Sequence, residues 1–179
     1  MEYKSLYSSP VGKIILTSDG KYLTGLWFTT SRFLELRNVL KEQINDELEI
    51  FNITKKWLDR YFNGEKPNLN EVPIKLIGTD FSNKVWNILK KIPYGDIVTY
   101  KQIAEQIKKE NGLKNMSSQA VGHAVGYNKV SIIVPCHRVV GSNGSLTGYG
   151  GGLDVKIGLL RHEKVDVDKF FRPKKGKAL

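Results

Sequence analysis

One cysteine, Cys136, stands in a chain of 179 residues. A lone thiol excludes an internal disulfide and any zinc site built from several thiolates. Cys136 is therefore either an inert core residue or a chemical one. Histidine is scarce as well, with three in all. His123, His137 and His162 lack the close spacing of a chelating pair, and sequence neighbours such as Cys136 and His137 rarely share one ion, so no metal and no cofactor are expected. Long apolar runs are missing: nothing approaches the roughly 18 residues needed to span a bilayer. Met1 to Ser9 mixes charge with aromatics where a secretion signal would be apolar, and a cytoplasmic protein is expected. Fixed-period repeats and low-complexity tracts are absent too, which excludes solenoids and disordered arrays.

What is present is globular. Hydrophobic residues make up 40% and charged residues 26%, enough for one ordinary domain or two small ones with a real core. Lys and Arg number 28 against 18 Asp and Glu, a formal charge of +10. A polyanion is the natural partner for such a surface, although a lysine-rich composition by itself leaves function open.

The first third reads as strands and turns: Tyr3 to Tyr7, the Ser9-Pro10-Val11-Gly12 turn, Lys13 to Thr17, then Leu23 to Phe28. Apolar residues at helical spacing follow over Arg32 to Leu40 and Ile53 to Phe62. The polar, proline-bearing stretch from Lys66 to Pro73 marks a boundary. The expected organisation is an N-terminal sheet-and-helix domain over residues 1–76, a mostly helical domain over 77–168 and a basic tail over 169–179, an α/β chain of the α+β kind.

In the second domain, Thr79 or Asp80 caps a helix with Phe81, Val85, Ile88, Leu89 and Ile92 on one face, closed by Pro93 and Gly95. Two shorter helices follow, one opening at Thr99, the other near Ser117 or Ser118 and ending about Gly126, in the outline of a helix-turn-helix. Small residues at Ala120, Gly122, Ala124 and Gly126 suit either a tight core contact or close approach to an outside surface. An extended apolar stretch is expected over Val130 to Val140 around Pro135-Cys136-His137-Arg138. Gly150, Gly151 and Gly152 after Tyr149 suit a loop lying against a flat ligand, or a linker. Asp154 is expected to cap the last helix, and the segment from Phe170 to Lys177 to be loosely held.

A cysteine reacts as its thiolate and needs a proton acceptor in an electropositive setting. His137 and Arg138 follow Cys136 directly. On an extended chain adjacent side chains point apart, so thiol and imidazole meet only through a bend or a bridging water.

The run Val134-Pro135-Cys136-His137-Arg138-Val139-Val140 resembles the active-site signature of the O6-alkylguanine-DNA alkyltransferases. The resemblance extends from Gly78 to Glu163 and takes in Pro93-Tyr94-Gly95, Thr99-Tyr100, Ala120-Val121-Gly122, Asn128, Tyr149 with its glycines and Leu159-Leu160-Arg161-His162-Glu163. It implies a ribonuclease-H-like N-terminal sheet domain and a winged-helix-like C-terminal domain. It also implies direct repair of double-stranded DNA: a monomer flips out an O6-alkylguanine, or less readily an O4-alkylthymine, and moves the alkyl group irreversibly onto Cys136. By the same resemblance His137 takes the thiol proton through a water, Glu163 orients His137 and Asn128 is a structural hinge. Tyr100 acts near the flipped nucleotide, while Tyr149, Gly150 and Val134 line the guanine pocket. Gln119, Ala120, Gly122 and Gly126 meet DNA, with Gln119 standing where the family's wedge is usually an arginine.

Two rivals remain at this level. A cysteine hydrolase would use Cys136 and His137 with turnover, and a DNA-binding lesion sensor would use neither.

Overall fold

The structure is a computed structural model that describes residues 2–31, 33–36 and 39–173. The chain divides into two compact units: residues 1–76 with 129–133, and residues 77–128 with 134–179.

The first unit is built on a four-stranded sheet in the order β3-β2-β1-β4. Strands β1 (Tyr3–Ser9) and β2 (Gly12–Ser18) form an antiparallel hairpin, and β3 (Leu23–Phe28) continues the meander. The hairpin turn closes where Ser9 Oγ donates to the Gly12 carbonyl at 2.6 Å and Gly12 adopts a φ of 133°, a region open to glycine. Alternation places Ile14, Leu16, Leu26 and Phe28 in the core at 0–1% exposure, each worth about 1.5–3 kcal/mol of burial. Helix α1 (Phe33–Leu36) and a 3-10 turn over Val39–Lys41 follow, then β4 (Gln43–Ile44), parallel to β1. Where the periodicity suggested one helix from 32 to 40, the described residues hold two short turns. Arg32, Arg37 and Asn38 lie outside the described residues.

Helix α2 (Glu49–Phe62) buries Ile50, Phe51, Trp57, Leu58 and Tyr61. It begins four residues before the apolar stripe at Ile53 suggested, and its cap, Leu48, makes no side-chain hydrogen bond. Residues 129–133 return to this unit: Leu26 N–H donates to the Lys129 carbonyl at 2.8 Å, and Ser131 N–H donates to the Leu26 carbonyl at 3.3 Å. Within this return Ile132 sits at φ 69°, a left-handed conformation that a β-branched residue holds only under tertiary constraint.

The second unit is a helical cluster. Helix α3 (Asp80–Leu89) is capped by Thr79, which accepts from Ser82 N–H. A short strand β5 (Val98–Thr99) leads into α4 (Tyr100–Glu110), which opens on a full capping box between Thr99 and Gln102. Helix α5 (Ser118–Gly126) is capped by Ser117. Helix α5 packs on both α3 and α4, and Trp86 Nε1 on α3 donates to the Ala124 carbonyl of α5 at 2.9 Å. Strand β6 (Val139–Val140) pairs in parallel with β5, and α6 (Leu153–His162) closes the unit.

Two expectations change here. The residue before α6 that caps it is Gly152, at φ 96° and with no side-chain cap, so Asp154 instead lies in the first turn. Further along, the chain at 170–172 is held: Leu146 N–H donates to the Phe171 carbonyl at 3.0 Å, Phe171 N–H donates to the Gly144 carbonyl at 3.0 Å, and Arg172 pairs with Asp154 at 2.6 Å. Residues 174–179 lie outside the described residues. Among the described residues no helix is long and apolar enough to cross a membrane.

Candidate active site

The pairing of β5 with β6 fixes the site in place, because β6 directly follows the Cys136–Arg138 segment and β5 directly precedes Tyr100. Cys136, His137 and Arg138 form a 3-10 turn in place of the extended chain expected from the sequence. Pro135, at φ −82° and ψ 62°, precedes the turn and fixes its entry. All three side chains are buried, with Cys136 at 5%, His137 at 0% and Arg138 at 8% exposure.

Glu163, one residue past α6, closes the arrangement. Its Oε1 faces His137 Nε2 at 2.8 Å and accepts from an Arg138 terminal nitrogen at 2.9 Å. Its Oε2 accepts from Arg138 Nε at 2.8 Å and from Gly95 N–H at 3.0 Å. A second Arg138 terminal nitrogen donates to the Ile92 carbonyl at 2.6 Å. Burial pushes the Glu163 carboxyl up, but hydrogen bonds from His137 and Arg138 outweigh it and hold the acid well below the usual carboxylate range. Glu163 is thus ionised, and an ionised carboxylate only accepts, so Nε2 of His137 carries the proton. Nδ1, the other ring nitrogen, is then a lone-pair acceptor, and it meets no hydrogen-bond partner among the described residues. Burial is the main cause that lowers the His137 pKa, with Glu163 acting against it and Arg138 and Lys156 adding to it.

Asn128 sits between the end of α5 and the cysteine turn. Its Nδ2 donates to the Val134 carbonyl at 2.8 Å and to Cys136 Sγ at 3.1 Å. Tyr100, at the start of α4, donates its hydroxyl proton to the Thr147 carbonyl at 3.0 Å. Burial and the neighbouring Cys136 raise the Tyr100 pKa, so it is a protonated donor at neutral pH. Val134 and Tyr149 are buried at 0% and 3%, while Gly150 is partly exposed.

Several functional residues escaped sequence reasoning. Gly148 sits at φ 82°, and a Cβ there would collide with the Tyr100 hydroxyl, so the approach of Tyr100 to the loop requires glycine. Arg138 was visible only as a basic neighbour of Cys136. Lys156 gave no signal, since a lysine on a helix ordinarily points to solvent. Here it is fully buried on α6. Its ammonium nitrogen donates to the Val139 carbonyl at 2.6 Å and the Thr147 carbonyl at 2.9 Å, tying β6 to the Tyr149 loop. Burial lowers its pKa to about 7, against a smaller opposing pull from Cys136. Between about pH 7 and the ordinary lysine value the unfolded chain binds a proton that the folded chain does not, so stability rises with pH there. Urea unfolding of Lys156→Met is expected to show this alkaline rise flattened; an unchanged slope counts against the shift.

The helix-turn-helix comprises α4, the connection at 111–117 and α5. Gln119 is exposed, and Ala120 and Gly126 are partly exposed. Gly122 is buried with Val121, Ala124 and Val125 on the side that packs against α3 and α4. Of the residues expected to meet DNA, Gly122 is thus buried in the helix packing, while Gln119, Ala120 and Gly126 lie at least partly at the surface of α5.

The fold and site define a class, a helix-turn-helix protein with one buried cysteine beside a histidine–carboxylate pair. The family model for "6-O-methylguanine DNA methyltransferase, DNA binding domain" matches residues 80–165, and that for "6-O-methylguanine DNA methyltransferase, ribonuclease-like domain" matches residues 2–76. The chain belongs to the 6-O-methylguanine DNA methyltransferase family. A methylated-DNA–protein-cysteine methyltransferase of Haemophilus influenzae is 39% identical over 168 residues, covering 93% of this chain and 89% of that one. One from Methanosarcina acetivorans is 40% identical over 163 residues, covering 90% and 97%. Among solved structures, Mycobacterium tuberculosis OGT in complex with DNA superposes with a TM-score of 0.76 at 35% identity, covering 94% of each chain.

Proposed function

We propose that this protein repairs DNA directly by taking the alkyl group of O6-alkylguanine onto Cys136. It is a methylated-DNA–protein-cysteine methyltransferase, and DNA is its partner. The observation that carries the assignment of roles is the buried His137 ring, bound to Glu163 through one nitrogen and presenting the other as a lone pair next to the cysteine turn.

Nδ1 of His137 takes the Cys136 proton through a water, and Glu163 holds the tautomer that makes this possible. The thiolate sulfur attacks the alkyl carbon, an S–C bond forms, the C–O6 bond breaks, and the electron pair leaves with the guanine. Tyr100, kept protonated, supplies a proton to the departing base. The product thioether has no route back to the thiolate, so each molecule acts once. O4-alkylthymine presents the same alkyl–oxygen bond in a smaller base and is expected to react less well. O6 inside a duplex is out of reach of a thiol with 5% exposure, so the nucleotide must be flipped out. The protein acts as a monomer. Mass spectrometry after mixing with methylated duplex DNA tests the reading: one added methyl group on the Cys136 peptide is expected. Turnover without modification points to a hydrolase, and neither result to a sensor.

Gln119 faces solvent from the first turn of α5, where a wedge for the flipped base belongs. An amide hydrogen-bonds but offers neither charge nor a guanidinium plane to stack. Gln119→Arg is expected to speed repair of duplex DNA and leave reaction with free O6-alkylguanine unchanged. Equal acceleration of both substrates, or of neither, removes Gln119 from this role.

A further inference from the structure

Glu163 serves two side chains, a guanidinium and an imidazole, and the division is unequal. A carboxylate offers about four acceptor positions. At Glu163 two go to Arg138, one to Gly95 N–H and one to His137. The Arg138 fork is in turn locked by the Ile92 carbonyl at 2.6 Å and by the Tyr94 ring, 5.8 Å from the guanidinium carbon. The buried ion pair is therefore Arg138 with Glu163, and His137 is a third party attached to an already neutralised pair.

We propose that Arg138 is a positioning residue of the alkyl-transfer site, which neutralises Glu163 so that His137 rests as a neutral imidazole able to accept the Cys136 proton. The inference rests on the proton relay proposed above. Without Arg138, a buried carboxylate would have one cation left to pair with, the imidazole ring, and His137 would hold a proton on both nitrogens at neutral pH. An imidazolium has no lone pair to offer the thiol. The remaining charged or titratable groups around the ring do not replace Arg138. Lys156 on α6, its pKa lowered to about 7, is only partly charged at neutral pH and directs its donors at two carbonyls. Tyr94 and Tyr100 are held protonated, and Cys136 is the group being deprotonated. His162 packs edge-on to Tyr94 with ring centroids 6.4 Å apart. In the resting state Arg138, Glu163, His137 and Cys136 carry no net charge, and moving the proton from sulfur to Nδ1 keeps the sum at zero. A low-polarity interior tolerates such a transfer far better than one that leaves net charge behind.

The unmodified protein supplies the first measurement. Nitrogen-15 NMR of the His137 ring is expected to show the Nε2–H tautomer, neutral at about pH 7 and still neutral below the ordinary histidine value of about 6.5. A doubly protonated ring at about pH 7 overturns the proposal. The second measurement is the rate of transfer from free O6-benzylguanine against pH. For Arg138→Met the acid limb is expected to move upward by about one pH unit or more. The rate would then fall about tenfold near pH 6.5 and stay within a few-fold of the parent near pH 8.5. Arg138→Lys, which keeps the charge and loses the fork, is expected to restore most of the acid limb. A loss that is uniform across pH, or a lysine variant no better than methionine, shows that Arg138 is only a structural brace. His137→Gln separates the two levels. If it slows transfer while Arg138→Met leaves the pH profile in place, this inference alone fails. If His137→Gln changes nothing, the relay beneath it fails too.

Discussion

Cys136→Ala is expected to abolish alkyl transfer outright while leaving affinity for duplex DNA within a few-fold of the parent. No other thiol exists in the chain to take over, and the nearby nitrogens of Lys156 and His137 are both fully buried. Affinity has a different origin. The residues of α5 open to a duplex are polar or small, Gln119 and Ala120 among them, and binding to DNA rests mainly on phosphate contacts that release condensed cations. The substitution removes one sulfur from a site with 5% exposure, and Asn128 keeps its bond to the Val134 carbonyl. A stability loss of about 1 kcal/mol is the scale expected for such a truncation. Transfer is read from the methyl count on intact protein, and binding from a fluorescence titration. Residual methyl uptake by the alanine variant would remove Cys136 as acceptor.

Glu163→Ala is expected to destabilise the fold by about 3–5 kcal/mol as well as slow transfer, because it leaves a buried guanidinium without its counterion. Arg138 is 8% exposed and directs two of its nitrogens at Glu163, and the Gly95 N–H loses its acceptor as well. Acid titration separates this charge effect from simple loss of volume. The folded-state pKa of Glu163 lies below its unfolded value, so its contribution is present above about pH 4.3 and fades as pH falls through the folded value. Glu163→Gln should therefore be weaker than the parent at about pH 7, with the gap narrowing as the parent protonates at low pH. Guanidinium unfolding at several pH values reads this directly. A gap that stays constant from about pH 7 to about pH 3 would mean the carboxylate's charge is not what holds Arg138.

Much of this was legible in the chain. Thr99 announced the start of α4, Ser117 or Ser118 that of α5, and the run Lys13 to Thr17 between turns gave the strand that fills the first core. These are local signals, decided within one turn of helix or one pleat. The cysteine turn differs from the extended expectation because Val130, Ile132, Ile133, Val134, Val139 and Val140 are β-branched on both sides of Pro135-Cys136-His137-Arg138, and only the tertiary setting turns the chain there. Strand β4, with just Gln43 and Ile44, owes its pairing to β1 and has no pattern of its own. Gly122 was ambiguous for a related reason, since a small residue looks the same whether it faces DNA or a neighbouring helix, and burial alone decides. Cys136, His137, Asn128 and Glu163 were named from the resemblance. The charge arithmetic among them was not, because Arg138, Lys156 and Gly95 come together only in three dimensions.

The return of residues 129–133 to the first unit bears on inheritance. Val130, Ile132 and Ile133 are 0–2% exposed and hydrogen-bond with β3 through Lys129 and Ser131, yet in the gene they fall between α5 and the cysteine turn. A cut at the linker near residue 77 severs the chain only once, while the two units exchange chain three times. The C-terminal unit is therefore not a portable cassette. Transplanted alone into another protein, it would carry an orphaned apolar loop at its centre, and recombination that swaps N-terminal units between relatives must match the new β3 edge to this old loop.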